Sequence, residues 1–231
     1  MLIIGHRGCS YDSGENTAGG IVSAIRAGVD GIEIDIRRSD DHLILLHDST
    51  VTRTTNGYGS HKSYSFSSLR NLVCKNGERI PTLDEVMPLL FNTRYIFLEI
   101  KEPNTLDLIR PLLKKIPDET QNNIFISSFD EQIIESFQQC KEVNRAFVTA
   151  IKSPDLVARC KELNCSHIHV SLKIIDKEIV DNVHKNNMKV LVFTINESSD
   201  LDLCLKLGVD GVFTDQPSEM IELLGKIMDK C

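Results

Sequence analysis

Gly28-Val-Asp-Gly-Ile-Glu-Ile-Asp-Ile-Arg37 carries two signals that together decide the fold. The first is a stop and a restart. A glycine able to take a left-handed conformation closes the helical pattern of residues 17–27, Val29 can pack back on that helix, and the chain turns into a strand at Gly31. The same four residues return as Gly208-Val-Asp-Gly211. Working back from that second copy, apolar runs begin near Ile124, Arg145, His167, Lys189 and Gly211, roughly 22 residues apart. Amphipathic stretches at 130–142, 154–163, 176–186 and 198–207 separate them, and Asn164, Asn187 and Gly208 stand at helix exits. Alternation at this spacing predicts βα units and a parallel sheet. Adding Leu2–Gly5, the strand from Gly31, and Tyr95–Lys101 with a helical stretch near 105–115 makes eight strands. Eight βα units in 231 residues predict a (β/α)8 TIM barrel. An open doubly wound sheet is the competing architecture. Its dinucleotide-binding form would want G-x-G-x-x-G after the first strand, and none follows Gly5.

One interval breaks the period. Between Arg37 and Tyr95 lie a short apolar strand at Leu43–Leu46, a polar stretch at about 49–80, and a helix start at Pro81-Thr82-Leu83-Asp84-Glu85. This reads as an insertion after the second strand, lying over the barrel mouth, because long loops in compact domains are usually functional. The expectation is one barrel domain over residues 1–231.

The second signal is charge inside a barrel strand, where both faces are covered and apolar runs are the rule. Ile32, Ile34 and Ile36 alternate with Glu33, Asp35 and Arg37, and residues two apart share a face. Ile96, Leu98 and Ile100 alternate with Phe97, Glu99 and Lys101 in the same way. Glu33, Asp35 and Glu99 thus face the barrel interior, where unpaired carboxylates are very costly. A divalent cation, Mg2+ or Ca2+, accounts for all three, since hard cations prefer carboxylate oxygen. The plainer alternative is a solvated strand ion-paired through Arg37 and Lys101.

His6 follows the first strand and His47 follows Leu43–Leu46, so both stand just past strands, where barrel enzymes keep their chemistry. An imidazole titrates near neutrality and can move a proton. Arg7 and Lys101 are cations placed to hold an anionic group. His42, His61, His167, His169 and His184 lack such company and read as structural or exposed, His169 least securely because it lies on a strand. A metal, two histidines and two cations suggest phosphoryl chemistry; spacing alone does not choose among a phosphodiesterase, a phosphatase and a metal-dependent lyase.

Composition narrows the partners. Asp plus Glu number 33 against 26 Lys plus Arg, a net charge of −7, which disfavours a nucleic-acid binder. No apolar run reaches the roughly 18 residues of a membrane span, and MLIIG lacks the basic and apolar regions of a secretory signal. Seven cysteines without a C-x-x-C pair fit packing thiols in a reducing compartment, so the expected location is cytoplasmic, with no stable membrane insertion.

These residues resemble the glycerophosphodiester phosphodiesterase family along nearly the whole chain. HRG at 6–8, ENT at 15–17, EID at 33–35, HD at 47–48, and RTT at 53–55 with Gly57 come first. GERIPTLDEV at 77–86, LEIK at 98–101, SF at 128–129, TIN at 194–196 and GVDGVFTDQP at 208–217 follow in order. The resemblance implies a (β/α)8 barrel with a small insertion after the second strand. It implies hydrolysis of a small-molecule glycerophosphodiester to glycerol 3-phosphate and an alcohol, with a divalent cation. Glu33, Asp35 and Glu99 match metal ligands, His6 and His47 an acid–base pair, and Arg7 and Lys101 phosphate contacts. Asn16 matches a supporting polar residue, and Glu15 another, on the metal side or at the helix start. Gly14 replaces a frequent proline, which should loosen its loop, and Phe193 replaces a common tryptophan in the pocket wall.

Three rival readings have distinct signatures. A related barrel phosphodiesterase acting on lysophospholipid or phosphoinositide would want a long apolar docking loop, and none is evident. A barrel that has lost its chemistry would lack site residues, yet all seven are present. An aldolase-type enzyme would want a Schiff-base lysine or a glycine-rich phosphate loop, and Thr194–Asn196 and Thr214–Pro217 offer neither.

Overall fold

The computed structural model describes residues 1–11, 14–116, 120 and 122–229. Eight parallel strands close into a ring: β1 (Leu2–Gly5), β2 (Gly31–Ser39), β4 (Tyr95–Ile100), β5 (Ile124–Ser128), β6 (Asn144–Thr149), β7 (His167–Ser171), β8 (Lys189–Phe193) and β9 (Gly211–Thr214). Each pairs with its neighbour in chain order, and β1 pairs with both β9 and β2, so the ring has no free edge. Helices between the strands make this the (β/α)8 TIM barrel expected of the repeat.

The repeated Gly-Val-Asp-Gly does one job twice. Gly28 and Gly208 end their helices at φ 89 and φ 78, donating backward to the last helical carbonyls. Asp30 Oδ2 then accepts from the Ile3 amide at 2.8 Å, and Asp210 Oδ2 from the Val190 amide at 2.9 Å. In each case the aspartate satisfies an amide of the preceding strand at the end remote from the site. Asn164 and Asn187 take left-handed conformations at their helix exits, as their positions require. The helix expected over 130–142 spans only Glu131–Ser136. Beyond it the Phe137 carbonyl accepts from the Cys140 amide and from Arg145, which replaces the helical ladder.

The strand alternation divides the core in two. Ile32, Ile34, Ile36, Ile96, Leu98 and Ile100 join the large cluster between sheet and helices. Each is fully buried or nearly so, and is worth roughly 1.5–3 kcal/mol. A second cluster fills the barrel interior with Ile4, Phe97, Phe125, Leu191 and Phe213. Strand register places Asp35 beside Glu99, one side-chain layer nearer the mouth than Phe97, so the interior changes from aromatic to ionic toward the mouth.

The interval after β2 holds an added strand, β3 (His42–Leu45), antiparallel to β2 and outside the ring. Ile44, Leu46, Val51, Leu69, Cys74 and Ile80 give this region its own small apolar core. Cys9, Cys74, Cys140, Cys160, Cys165 and Cys204 are buried, while Cys231 lies outside the described residues. Among the described residues no helix is long and apolar enough to cross a membrane.

Candidate active site

At the C-terminal mouth of the barrel is a cavity of about 110 Å³. His6, Arg7, Glu33, His47, Glu99 and Lys101 line one side, and Phe129, Val148, Phe193 and Phe213 the other. The apolar side includes Phe193, the residue that departs from the tryptophan common in the family resembled.

Each ionic side chain owes its place to a local feature. Glu33 and Asp35 point inward because the isoleucines between them pack outward. Asn16 braces Asp35 twice, its Nδ2 donating to Oδ2 at 2.7 Å and its Oδ1 accepting from the Asp35 amide at 3.0 Å. The Arg7 amide donates to Glu33 Oε2 at 2.9 Å. Arg7 and Asn16 both hold positive φ, 56 and 54, a conformation costing about 1–3 kcal/mol in a side-chain-bearing residue. Gly14, at φ 86, also lies outside proline's range, so the backbone there calls for glycine.

His47 reaches the mouth by an indirect path. It follows β3, which is not a barrel strand. β2 runs on past the ring to Ser39, turns at Asp40-Asp41, and β3 returns alongside it. The Leu46 amide donates to the Asp35 carbonyl at 3.1 Å, which brings His47 level with the carboxylates. Arg37 fixes the end of this hairpin: its Nε and Nη2 donate to the His47 carbonyl at 3.1 and 2.7 Å, and its Nη1 to Glu102 at 2.7 Å.

His6 and His47 are each held through Nδ1 by an aspartate. His6 Nδ1 lies 2.7 Å from Asp215 Oδ1, and His47 Nδ1 lies 2.7 Å from Asp48 Oδ1. Ser10 and Asn196 hold Asp215 in turn, at 2.6 and 2.8 Å. Arg53 donates to both oxygens of Asp48 and both of Glu15, and Glu15 accepts from Arg7 at 3.0 Å. Glu15 therefore stands apart from the three-carboxylate cluster, as a link between two arginines; Thr17 caps the following helix. Asp48, Asp215, Arg37 and Arg53 are site residues that sequence reasoning missed. His-Asp at 47–48 and the Asp of the terminal Thr-Asp-Gln-Pro were the available signals for the two aspartates.

One ligand atom from each of Glu33, Asp35 and Glu99 lies within 4.8 Å of the others. Lys101 Nζ is 2.8 Å from Asp35 Oδ1 and also pairs with Glu99, while Arg7 Nε is 3.3 Å from Asp35 Oδ2. Burial alone would raise the Asp35 carboxyl, but Lys101 and Arg7 outweigh it and hold it at about 2. For Glu33, burial and the adjacent Asp35 and Glu99 charges push the carboxyl well above its ordinary range. Burial, with the Asp35 charge, also raises Glu99 against the pull of Lys101. Glu33 Oε1 is buried with no hydrogen-bond partner among the described residues. Three acids against two cations, with one acceptor unmatched, fit a divalent cation by charge and by donor type. Burial lowers the His47 imidazole, aided by the charges of Lys101 and Arg7.

The remaining histidines divide. His61 is buried in the insertion, its Nδ1 2.8 Å from the Ser49 carbonyl and its Nε2 3.1 Å from Glu102. His42 stacks on Phe66, and His184 pairs with Asp210. His167 sits in the barrel interior against Phe125, where burial pulls it down to about 4. His169 lines the cavity itself.

A family model described as the glycerophosphoryl diester phosphodiesterase family matches residues 6–219. A glycerophosphodiester phosphodiesterase of Caldanaerobacter subterraneus subsp. tengcongensis is 31% identical over 240 residues, covering 97% of this chain and 98% of that protein. One from Bacillus altitudinis is 26% identical over 237 residues, covering 96% and 97%. Among solved structures, an Oleispira antarctica phosphodiesterase in complex with the product sn-glycerol-3-phosphate matches with a TM-score of 0.91 at 26% identity, covering 97% of each chain.

Proposed function

The chain belongs to the glycerophosphoryl diester phosphodiesterase family, and from that premise we propose a metal-dependent hydrolysis of glycerophosphodiesters in which His6 and His47 move the protons. The observation that carries the proposal is the pairing of an over-charged carboxylate cluster with two aspartate-held imidazoles around one cavity. Glu33, Asp35 and Glu99 would hold Mg2+ or Ca2+. Such a cation supplies Lewis acidity at a phosphodiester oxygen when bound. Arg7 and Lys101 face the cavity from their carboxylate partners and would hold the phosphate.

The histidine geometry suits proton transfer. With Nδ1 engaged by Asp215 or Asp48, each ring has Nε2 left for substrate. One takes a proton from the attacking oxygen, of water or of the glycerol 2-hydroxyl; the other gives a proton to the leaving alcohol. The lowered His47 imidazole favours the neutral form and supports the base role for that residue. A soluble, deacylated diester suits the small cavity, and the buried free thiols of Cys74, Cys140, Cys160, Cys165 and Cys204 support a cytoplasmic setting.

The test is glycerol 3-phosphate release from glycerophosphocholine and glycerophosphoethanolamine, with and without chelator. Turnover of both, abolished by chelation and restored by Mg2+ or Ca2+, is expected. Full activity in excess chelator would refute the metal. Hydrolysis confined to vesicle-bound lysophospholipid or phosphoinositide would refute the substrate class.

A further inference from the structure

His169 is the odd member of the barrel interior. It lies on β7, in register with Val148 on one side and Leu191 on the other, and its side chain points inward. Its ring packs edge-on against Phe97 at 5.3 Å and Phe213 at 4.8 Å. The residue is 2% exposed, yet it lines the same cavity as His6, His47 and the carboxylate cluster, on the apolar side. Its ring makes no hydrogen bond among the described residues: Nε2 is sealed off without a partner, and Nδ1 is the ring nitrogen that keeps access to the cavity.

That combination is costly for packing alone. Burial drives the imidazole well below its ordinary range and keeps it neutral. A neutral ring still carries one N–H donor and one lone pair, and buried polar groups are seldom left unmatched in native proteins. A phenylalanine would continue the aromatic cluster of Phe97, Phe125 and Phe213 without that penalty. The polar edge is therefore explained by a ligand that brings its own hydroxyl.

We propose that His169 is a substrate contact on the floor of the cavity, hydrogen-bonding a hydroxyl of the glycerol moiety. This rests on the glycerophosphodiester reading above. The choice of glycerol over the alcohol follows from the shape of the site. The leaving alcohol varies in size and must depart through the open mouth, whereas glycerol is small and common to every substrate of the class. The closed end of a barrel suits the invariant part. The ionic side would hold the phosphate, and the apolar side with His169 would take the glycerol carbons and one hydroxyl.

The decisive variant is His169→Phe, with His169→Gln as a polar companion. Binding of sn-glycerol 3-phosphate and of ethyl phosphate, which lacks hydroxyls, is measured by calorimetry alongside KM and kcat on glycerophosphocholine. His169→Phe should weaken glycerol 3-phosphate by roughly 10-fold and raise KM by a similar factor. Ethyl phosphate binding should be unchanged, and the thermal midpoint should hold or rise. His169→Gln should recover part of the lost affinity. Equal loss for both phosphates, unchanged glycerol 3-phosphate binding, or failure of both variants to fold would assign His169 to packing and overturn the contact. A wild-type protein that releases no glycerol 3-phosphate would instead overturn the underlying function.

Discussion

His6 and His47 arrive at one cavity from opposite kinds of structure. His6 continues a barrel strand, its amide bonded to the Thr214 carbonyl at 2.8 Å, while His47 returns on a hairpin outside the ring. Each ends beside a carboxylate that fixes its Nδ1. If the two imidazoles share one proton-transfer cycle, His6→Ala and His47→Ala should each lower kcat by about 10²–10⁴-fold. The double variant should be scarcely worse than the poorer single one, because residues that act as a unit are not additive. A diester with a low-pKa leaving group needs little protonation, so it should spare the variant lacking the general acid. Steady-state kinetics on both substrate types reads this out. Near-wild-type kcat for His47→Ala on natural diesters would remove it from the pair.

Between elements, the join that matters most is the one tying the insertion to the barrel. Glu102, just beyond β4, is 7% exposed and accepts from Arg37 of β2, with His61 and Lys62 of the insertion at 3.1 and 3.3 Å. Arg37 in turn holds the His47 carbonyl, so the same cluster anchors the hairpin end. Burial alone would raise the Glu102 carboxyl, but hydrogen bonds from His61 and Arg37 outweigh it and hold it at about 2. A folded-state value below the unfolded one means stability that is present above pH about 4.5 and is lost as pH falls toward 2. Glu102→Gln should accordingly destabilise the protein by roughly 2 kcal/mol at pH 7, the order of a charge-assisted hydrogen bond. In thermal melts the gap to wild type should shrink progressively below pH about 4.5. A gap that stays constant down to pH 3 would show that the carboxylate charge is not what joins these elements.

For the whole molecule, the carboxylate cluster sets function against stability. Three acids packed around the mouth repel one another, and Lys101 and Arg7 compensate only in part. Glu33→Gln removes one of those charges and keeps an acceptor for the Arg7 amide. Without metal, the variant should melt higher than wild type, by about 2–4 °C for each kcal/mol of relieved repulsion in a chain of this size. With saturating Mg2+ or Ca2+, wild type should gain stability by mass action and the variant should gain little. Chelator should return wild type to its lower value. A variant that melts lower without metal, or that gains as much as wild type with it, would argue against these residues as the cation site.

By itself the sequence determined the periodicity and the chemistry that periodicity carries. The Gly-Val-Asp-Gly repeat and strand spacing specify a barrel because helix stops and strand starts are local events, written in consecutive residues. Alternation in 32–37 and 96–101 turned Glu33, Asp35 and Glu99 inward for the same local reason. Only the tertiary structure decided which distant residues complete the site. Asp215 meets His6 across 209 positions, Arg53 reaches Glu15 across 38 while holding Asp48, and the β2–β3 hairpin sets the height of His47. His169 reads in sequence as one more strand histidine. Closing the ring put it against Phe97 and Phe213 at the cavity floor, since which inward residues share a layer depends on the register between strands far apart in the chain.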